Sequence, residues 1–408
     1  MLGAPLNKAE LIMYIGLACF AVLVFSYSLI SEKVARLSLS GPIVFVATGT
    51  LLGPFGLNWF SPAPDSVNGK ALIDVTLALF LFVDAASADL GVLRKNWRIP
   101  GRMLLIGLPA SICLGALAAS WLFPSLSLYE AAMLGTMLAA TDAALGKAVV
   151  TNQSVPHHLR EGLSAESGLN DGLCVPVLLL FIALEQGVAV SGGGLALELL
   201  TEELGIGFLV GAVIAFVAAK AIVRARAANW LGDVWQRTSV PALALLVFAV
   251  AQLLHGSGYI AAFVGGLCFR AAMKEDPHGL IVPAEGLGEV MAMFAWILFG
   301  LMLVPAALPF ITWVEVLYAV LSLTVIRMLP IMLSLQGSGE QMQGRVFLAW
   351  FGPRGLASLA FATMVWSADI PAAGTLVSVT ILTVVMSLVV HGMSARPFAR
   401  RLANNSAQ

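Results

Sequence analysis

Residues 161–172 read Glu161-Gly-Leu-Ser-Ala-Glu-Ser-Gly-Leu-Asn-Asp-Gly172, a polar run at the start of an apolar block that extends to residue 186. The block is long enough to cross a hydrocarbon core of about 30 Å as a helix. It nevertheless contains two acids, Glu166 and Asp171. An ionisable side chain at membrane depth is costly unless it is paired or hydrated, so we treat these acids as functional candidates.

The composition around this block is that of an integral membrane protein. Of the 408 residues, 59% are hydrophobic and 11% are charged, and the mean hydropathy is +0.93. Soluble domains carry about 45–50% apolar and about 25% charged residues. The apolar blocks lack the alternation of a membrane β-barrel, so we predict an all-α integral membrane fold. A net charge of −1 without a basic cluster argues against a nucleic-acid partner.

Thirteen apolar segments are predicted to span the membrane. Their approximate ranges are 9–30, 41–57, 69–90, 101–122, 128–150, 161–186, 203–223, 238–255, 257–272, 286–304, 311–335, 344–366 and 373–393. The first segment lacks a basic n-region and a cleavage pattern, so we expect a retained span rather than a signal peptide. Lys8 and Lys70 lie on one side, Arg327 and Arg354 lie inside spans, and every other Lys and Arg falls on the opposite side. The positive-inside rule then predicts an outer N-terminus and a cytoplasmic C-terminus.

The ionisable residues inside spans suggest an exchange site. They are Asp142 in span 5, Glu166 and Asp171 in span 6, Arg327 in span 11 and Arg354 in span 12. Three anions against two cations leave one carboxylate without a fixed partner. Such a carboxylate must hold a proton, hold a cation or contact water. This is the requirement of a site that exchanges a cation for a proton.

Span 6 presents two polar faces. Glu166 and Asn170 are four residues apart and share one face, while Ser167 and Asp171 share the next face. The second face offers a carboxylate and a hydroxyl, which are hard oxygen ligands for a small monovalent cation. The alternative is that these groups only bridge helices, as Ser and Asn often do in membranes.

Spans 5 and 12 are predicted to be interrupted helices. Proline flanked by glycines disturbs the helix around Arg354, and Asp142 lies near the centre of span 5. The two spans hold the fifth place in two inverted halves, spans 1–6 and 8–13, with span 7 as the link. Interrupted segments at matching places of inverted repeats indicate a midplane binding site. Asp142 is a counter-charge for helix N-termini or a ligand, and Arg354 compensates helix C-termini.

Arg327 requires a buried partner because its guanidinium stays charged, and we predict Glu166 as that partner. Asp84, about two turns from the cytoplasmic end of span 3, either lines an inner funnel for cations or reaches interfacial water. His157 and His158 precede span 6 and are either a pH sensor or ordinary polar surface.

Together these residues resemble the monovalent cation/proton antiporters, specifically the electroneutral sodium/proton exchanger branch typified by NhaP and the animal NHE proteins. The resemblance rests on Thr141-Asp142, on Glu166-Ser167-Gly-Leu-Asn170-Asp171-Gly172, on Arg327 and on Phe351-Gly-Pro-Arg-Gly355, in that order. It covers essentially the whole membrane part. It implies an NhaA-like antiporter fold with crossed broken helices.

The resemblance also implies a homodimer in which a translocating core moves against a dimerisation domain like an elevator. The dimerisation domain would be residues 1–90 and 227–304, the core 91–186 and 305–396, the linker helix 187–226, and the short cytoplasmic tail 397–408. Asp171 would carry the ion or the proton, with Na⁺ near Asp171, Asp142, Ser167 and Thr141. Glu166, Asn170 and Arg327 would be structural support.

Two details of the motif refine this expectation. Asn170 before Asp171, and arginine at 327, resemble the electroneutral branch. Many relatives carry proline after the Thr-Asp pair, whereas Ala143 stands here. The break in span 5 is therefore expected to come from packing and from the residues around Gly146.

The function predicted from the sequence is Na⁺/H⁺ exchange, with Li⁺ as a further candidate cation, in the plasma (bacterial inner) membrane. The partners would be a monovalent cation, a proton and membrane lipid, with no cofactor and no enzymatic activity. A K⁺/H⁺ antiporter with the same machinery stays open, because the ligands would be the same oxygens. An intramembrane aspartyl enzyme using Asp142 and Asp171, or a cation channel, is disfavoured because neither explains Arg327 and the inverted repeat.

Overall fold

The computed structural model describes residues 8–36, 40–60, 67–88, 97–142, 145, 155–189, 193–273 and 278–406. All regular elements within these ranges are helical. Their bounds are α1 Lys8–Arg36, α2 Gly41–Leu52, α3 Val67–Ser87, α4 Arg98–Leu122, α5 Leu128–Met137, α6 His157–Ala189, α7 Gly193–Ala227, α8 Asp233–Leu253, α9 Gly258–Ala272, α10 Gly279–Ala307, α11 Trp313–Ser334, α12a Met342–Trp350, α12b Leu356–Ser367 and α13 Ala373–Ser406.

Each predicted span overlaps one of these helices. Eight of the described helices are long and apolar enough to cross a membrane, and α2, α9 and α12b are shorter apolar helices. The predicted all-α membrane fold is therefore confirmed. Residues 397–406, which belong to the predicted short tail, continue α13 as a helix. The Phe398 ring stacks on Trp350 at 5.8 Å between centroids, which holds this extension against the body of the protein.

The helices pack in two groups. In the first, α3 contacts α8, α9 and α10, and α7 contacts α9. In the second, α4 packs on α5, α5 on α6, and α13 on both α11 and α12b. The groups meet where α6 and α12b contact α3 and where α6 contacts α7 and α9. The site residues of span 6 therefore lie close to the boundary between the groups.

The two interruptions predicted from the sequence both lie in the second group. The helix α5 ends at Met137, and residues 351–355 separate α12a from α12b. The break in α12 is the one predicted around Arg354. The break in span 5 begins earlier than expected, ahead of Thr141, and Gly146 lies outside the described residues. Packing ends this helix, because Ser358 Oγ donates to the Met137 carbonyl at 2.8 Å.

The crossing of α4 and α5 depends on two glycines that touch. A Cβ on Gly135 would lie 2.6 Å from the Ile112 carbonyl oxygen, and a Cβ on Gly115 would lie 3.0 Å from the Gly135 Cα. Small residues at such contacts let helix backbones approach closely in membranes. Since α5 leads directly into Thr141 and Asp142, this crossing determines the position of those two residues.

We expect Gly135→Ala to lower the free energy of unfolding by about 1–3 kcal/mol, because the added methyl group meets backbone rather than a movable side chain. The measurement is thermal unfolding in detergent. Gly205→Ala in α7 is the matched control, since nothing lies within 4 Å of a Cβ built there. An unchanged melting temperature for Gly135→Ala would contradict the close crossing.

Candidate functional site

The innermost part of the site is an ion pair. Arg327 Nη1 donates to Glu166 Oε1 at 2.8 Å, and Arg327 Nη2 donates to Glu166 Oε2 at 3.0 Å. Both side chains are buried. The paired geometry matches the guanidinium fork to the carboxylate and is stronger and more directional than a single contact. The pair neutralises two charges that would otherwise be isolated at membrane depth.

The position of Arg327 depends on an interruption that the sequence analysis missed. At Thr324 the backbone leaves the helical region, with φ −115° and ψ −92°, so α11 consists of two pieces. Thr324 Oγ1 donates to the Val320 carbonyl at 2.6 Å. A threonine in mid-span that bonds the preceding turn often bends a helix, which is the one signal that pointed here.

A second cluster forms where the break after α5 meets α6. The Thr141 N–H donates to Asp171 Oδ1 at 3.1 Å, and Thr141 Oγ1 lies 3.0 Å from Ser167 Oγ. All three side chains are buried. The structure therefore brings together the hydroxyls and the acid that the sequence analysis placed near the ion.

Asn170 connects this cluster to the ion pair. Its Nδ2 donates to Thr141 Oγ1 at 2.6 Å and to Glu166 Oε1 at 3.2 Å, and its Oδ1 accepts from the Thr141 N–H at 3.3 Å. The sequence analysis assigned Asn170 to the Glu166 face alone. In the structure its amide also determines the position of Thr141, so hydrogen bonds of Asn170 connect the two faces of α6.

Asp142 joins the two broken helices. Its Oδ2 accepts from the N–H of Leu356, the first residue of α12b, at 3.0 Å. Its own N–H donates to the Pro353 carbonyl at 2.8 Å. A carboxylate at a helix N-terminus satisfies a free N–H and complements the positive end of the helix dipole. Asp142 thus occupies the helix-end position that the sequence suggested, beside the Thr141 cluster.

Gly355 makes room for this carboxylate. A Cβ at position 355 would lie 1.9 Å from Asp142 Oδ2, which no real contact permits. The glycine is therefore required by the approach of Asp142 to the start of α12b.

Arg354 lies fully buried in the break of α12. Its Nη1 donates to the Gly352 carbonyl at 2.9 Å, so the guanidinium bonds a carbonyl within the break rather than the last turn of α12a. Two residues of α13 that the sequence analysis did not single out, Ser387 and His391, also contact the break. In an apolar helix they resemble ordinary buried polar residues.

Exposure distinguishes the members of the site. Asp171 is 9% exposed and Asp142 is 7% exposed, whereas Glu166, Asn170 and Thr141 are fully buried. The two aspartates are therefore the more accessible members of the cluster.

Asp84 of α3 lies across the boundary between the helix groups. A Cβ on Gly168 would lie 3.6 Å from the Asp84 Cβ, which places this acid against α6 one turn from Asp171. The predicted histidine pair has other partners, since His158 Nε2 lies 2.9 Å from Glu340 Oε2 and His157 bonds Glu161. Both histidines begin α6 and are exposed.

Comparison with known protein families gives a match over residues 20–401 to the family described as sodium/hydrogen exchanger, transmembrane. The chain belongs to the sodium/hydrogen exchanger family. The family resemblance predicted from the motifs is confirmed. The family is one of multi-pass membrane transporters that exchange a cation for a proton, not a class of enzymes.

Individual relatives of this exchanger-family chain carry different ion names. The K(+)/H(+) antiporter NhaP2 of Shewanella oneidensis is 24% identical over 380 residues, which are 91% of this chain and 64% of that protein. The Na(+)/H(+) antiporter 2 of Zygosaccharomyces rouxii is 30% identical over 221 residues, 51% of this chain and 27% of that protein. The chain thus spans a little under two thirds of the length of NhaP2.

A solved structure shows the fold of this family directly. The sodium proton antiporter MjNhaP1 from Methanocaldococcus jannaschii superimposes with a TM-score of 0.77 at 20% identity, covering 96% of this chain and 99% of that one. The antiporter fold expected from the sequence is therefore confirmed.

We expect Glu166→Gln and Arg327→Gln each to destabilise the protein by about 3–5 kcal/mol, because each leaves one buried charge without its partner. The readouts are the melting temperature and the yield in the membrane. Glu161→Gln is the control on the same helix, where the partly exposed acid faces His157, and there we expect less than about 1 kcal/mol. Equal effects for Glu161→Gln and Glu166→Gln would contradict a structural ion pair.

Gly355→Ala is expected to lower the melting temperature, because the methyl group displaces Asp142 from the start of α12b. Gly374→Ala, near the start of α13 where a Cβ meets nothing within 4 Å, serves as control. There we expect a neutral or slightly stabilising change, since alanine favours a helix over glycine by about 1 kcal/mol. A Gly355→Ala protein as stable as the control would show that Asp142 does not need this approach.

Proposed function

We propose that the chain exchanges Na⁺ for H⁺ across the membrane by competition at Asp171. The observation that carries the proposal is the environment of this carboxylate. It lies in the core of the membrane part, and its Oδ1 accepts the Thr141 N–H. Among the described residues, no Lys, Arg or His forms a salt bridge with it. A carboxylate at this depth needs a positive charge, which H⁺ or a cation can supply.

The surrounding oxygens support a cation as the second occupant. Ser167 Oγ and Thr141 Oγ1 are 3.0 Å apart beside Asp171, and Asp142 follows Thr141 directly. Hard cations are held by carboxylate and hydroxyl oxygens. Once Asp171 is protonated, it loses the charge that attracts the cation, so the two occupants exclude each other.

Mutual exclusion couples the two fluxes. Reorientation with an empty site would carry an uncompensated carboxylate through the membrane core, which is strongly unfavourable. A site holding either H⁺ or Na⁺ is neutralised and can reorient. Leak in the empty state is suppressed, and each cycle exchanges one ion for the other.

The charge inventory favours electroneutral one-for-one exchange. Glu166 is engaged by both Nη atoms of Arg327, and Asn170 next to Asp171 is an amide that cannot ionise. Asp142 is committed to the start of α12b. Among the acids singled out in spans 5 and 6, one carboxylate is then left to alternate between a proton and a monovalent cation.

The movement we propose is that of the core residues 91–186 and 305–396 against residues 1–90 and 227–304, with 187–226 as linker, in a homodimer embedded in lipid. The two helix groups support this division, because the site lies in one group and touches the other along α3. The N-terminus would lie outside and the C-terminus in the cytoplasm, as the distribution of Lys and Arg predicts.

K⁺ is the second candidate cation. The observation that favours it is the name of the relative NhaP2, a K(+)/H(+) antiporter that aligns with 91% of this chain. The oxygens of the site are suitable ligands for either ion. The selectivity between Na⁺ and K⁺ therefore has to be measured by transport. A channel is distinguished by current, since electroneutral exchange produces none.

The test is transport in proteoliposomes loaded with a pH-sensitive dye. A pulse of Na⁺, Li⁺ or K⁺ is applied with and without a membrane potential. We expect cation-driven proton movement that is independent of the potential, and its loss in Asp171→Asn because the amide cannot take up a proton and has no negative charge to balance a cation.

Asp233→Asn, in the first turn of α8 and exposed, is the control and should transport like the unchanged protein. Proton movement that survives in Asp171→Asn would refute the assignment of Asp171. A response to K⁺ alone would replace Na⁺ by K⁺ as the exchanged ion.

A further inference from the structure

The break in α12 removes one particular backbone hydrogen bond. In a continuous helix the N–H of Arg354 would donate to the carbonyl of Trp350, four residues earlier. Here the Arg354 N–H donates to Ser387 Oγ at 2.7 Å, and the Trp350 carbonyl lies 3.0 Å from His391 Nε2. Buried backbone groups at membrane depth require such partners, because no water replaces the lost bond.

The two substitutes belong to one unit on α13. Ser387 and His391 are four residues apart and therefore share a helix face. Ser387 Oγ lies 3.1 Å from His391 Nδ1, and both side chains are buried. The rings of Trp350 and Phe351 lie 5.5 and 6.4 Å from the imidazole, measured between centroids. The unit is thus enclosed by the residues that flank the break.

The donors and acceptors determine where the protons lie. The Trp350 carbonyl can only accept, so His391 Nε2 must carry a hydrogen. Ser387 Oγ accepts from the Arg354 N–H and lies within hydrogen-bond distance of Nδ1, which is also 3.1 Å from the Ser387 backbone carbonyl oxygen. A proton on both ring nitrogens would add a buried positive charge one hydroxyl away from Arg354. The contacts therefore fix the Nε2 hydrogen, which is the one that the Trp350 carbonyl needs.

We propose that Ser387 and His391 form a relay that stands in for the missing Arg354-to-Trp350 bond and positions the cation site. The chain of bonds runs from the Arg354 N–H to Ser387, from Ser387 to His391, and from His391 to the Trp350 carbonyl. The effect of the relay on transport rests on the proposed cation exchange. The hydrogen bonds of the relay do not depend on that proposal.

The relay acts on the site through the neighbours of Arg354. The Pro353 carbonyl, directly before Arg354, accepts the Asp142 N–H, and the Leu356 N–H, two residues after it, donates to Asp142 Oδ2. Asp142 is therefore bonded to the backbone both before and after Arg354, and the relay fixes the position of Arg354. If the relay is lost, the break can shift, and Asp142 moves relative to Thr141 and Asp171. Ser387 and His391 are positioning residues, because they act on Asp142 through the backbone of residues 353–356.

The experiment measures cation dependence of exchange in Ser387→Ala and His391→Leu. We expect the apparent KM for the cation to rise about tenfold in each, the size of one buried hydrogen bond, with a smaller change in maximal rate. Ser387→Thr keeps the hydroxyl, and His391→Gln keeps an amide donor for the Trp350 carbonyl. Both should restore the KM to within a few-fold of the unchanged protein.

Two comparisons separate positioning from general stability. In Thr383→Val, one turn away, the lost hydroxyl bonds only the Val379 carbonyl of its own helix, so the KM should stay unchanged. The double variant Ser387→Ala/His391→Leu should raise the KM no further than either single variant, because both break one chain of bonds. Additive effects, or an unchanged KM in folded single variants, would overturn the relay.

A readout independent of transport completes the test. Hydrogen exchange of the Arg354 amide should accelerate in Ser387→Ala and stay as in the unchanged protein in Thr383→Val. If the unchanged protein moved no cation, the proposed function would fail while this measurement still tested the relay. An Arg354 amide that exchanges equally in all three proteins would overturn the relay while leaving cation exchange intact.

Discussion

The requirement that every backbone polar group in a membrane find a partner within the protein is the constraint on which this structure depends. Both broken helices expose such groups, and the residues of the site are the ones that satisfy them. Met137 is capped by Ser358, the Asp142 N–H is taken by Pro353, and Leu356 is bound by the Asp142 carboxylate. Acids and hydroxyls lie at the breaks because the free backbone groups there require hydrogen-bond partners. The proposed cation site is made of the same groups.

The Glu166–Arg327 pair determines where uncompensated charge remains. Because these residues neutralise each other, Asp171 is the buried acid of α6 to which the proposal assigns a positive charge taken from solution. Asn170 bonds both Glu166 and Thr141, so the pair also supports the geometry of the cluster that holds Asp171. The same few contacts thus determine both the charge balance of the site and the arrangement of its side chains.

Much of this arrangement was predictable, because membrane insertion leaves strong signals in sequence. Apolar blocks locate the helices, and rare buried charges such as Arg327 identify their own partners. Proline between glycines near Arg354 marks a break through local chemistry alone. The early end of α5 was not predictable, since Ser358 and Pro353 act on it from more than two hundred residues away. The bend at Thr324 and the roles of Ser387 and His391 were missed because such residues in apolar helices usually bond only to their own turn. The division into domains and the orientation in the membrane remain predictions.

The amide at position 170 has a thermodynamic consequence. With a second acid there, a cycle could carry two protons against one cation, and the membrane potential would do work of about 2.3 kcal/mol per charge for every 100 mV. In the proposed one-for-one cycle, with Asn170 and a single exchanging carboxylate, the potential would do no work. Net exchange then stops when the inside-to-outside ratio of the cation equals that of the proton. The membrane potential would not shift this equilibrium, so such a protein would respond only to the concentration gradients of the cation and the proton.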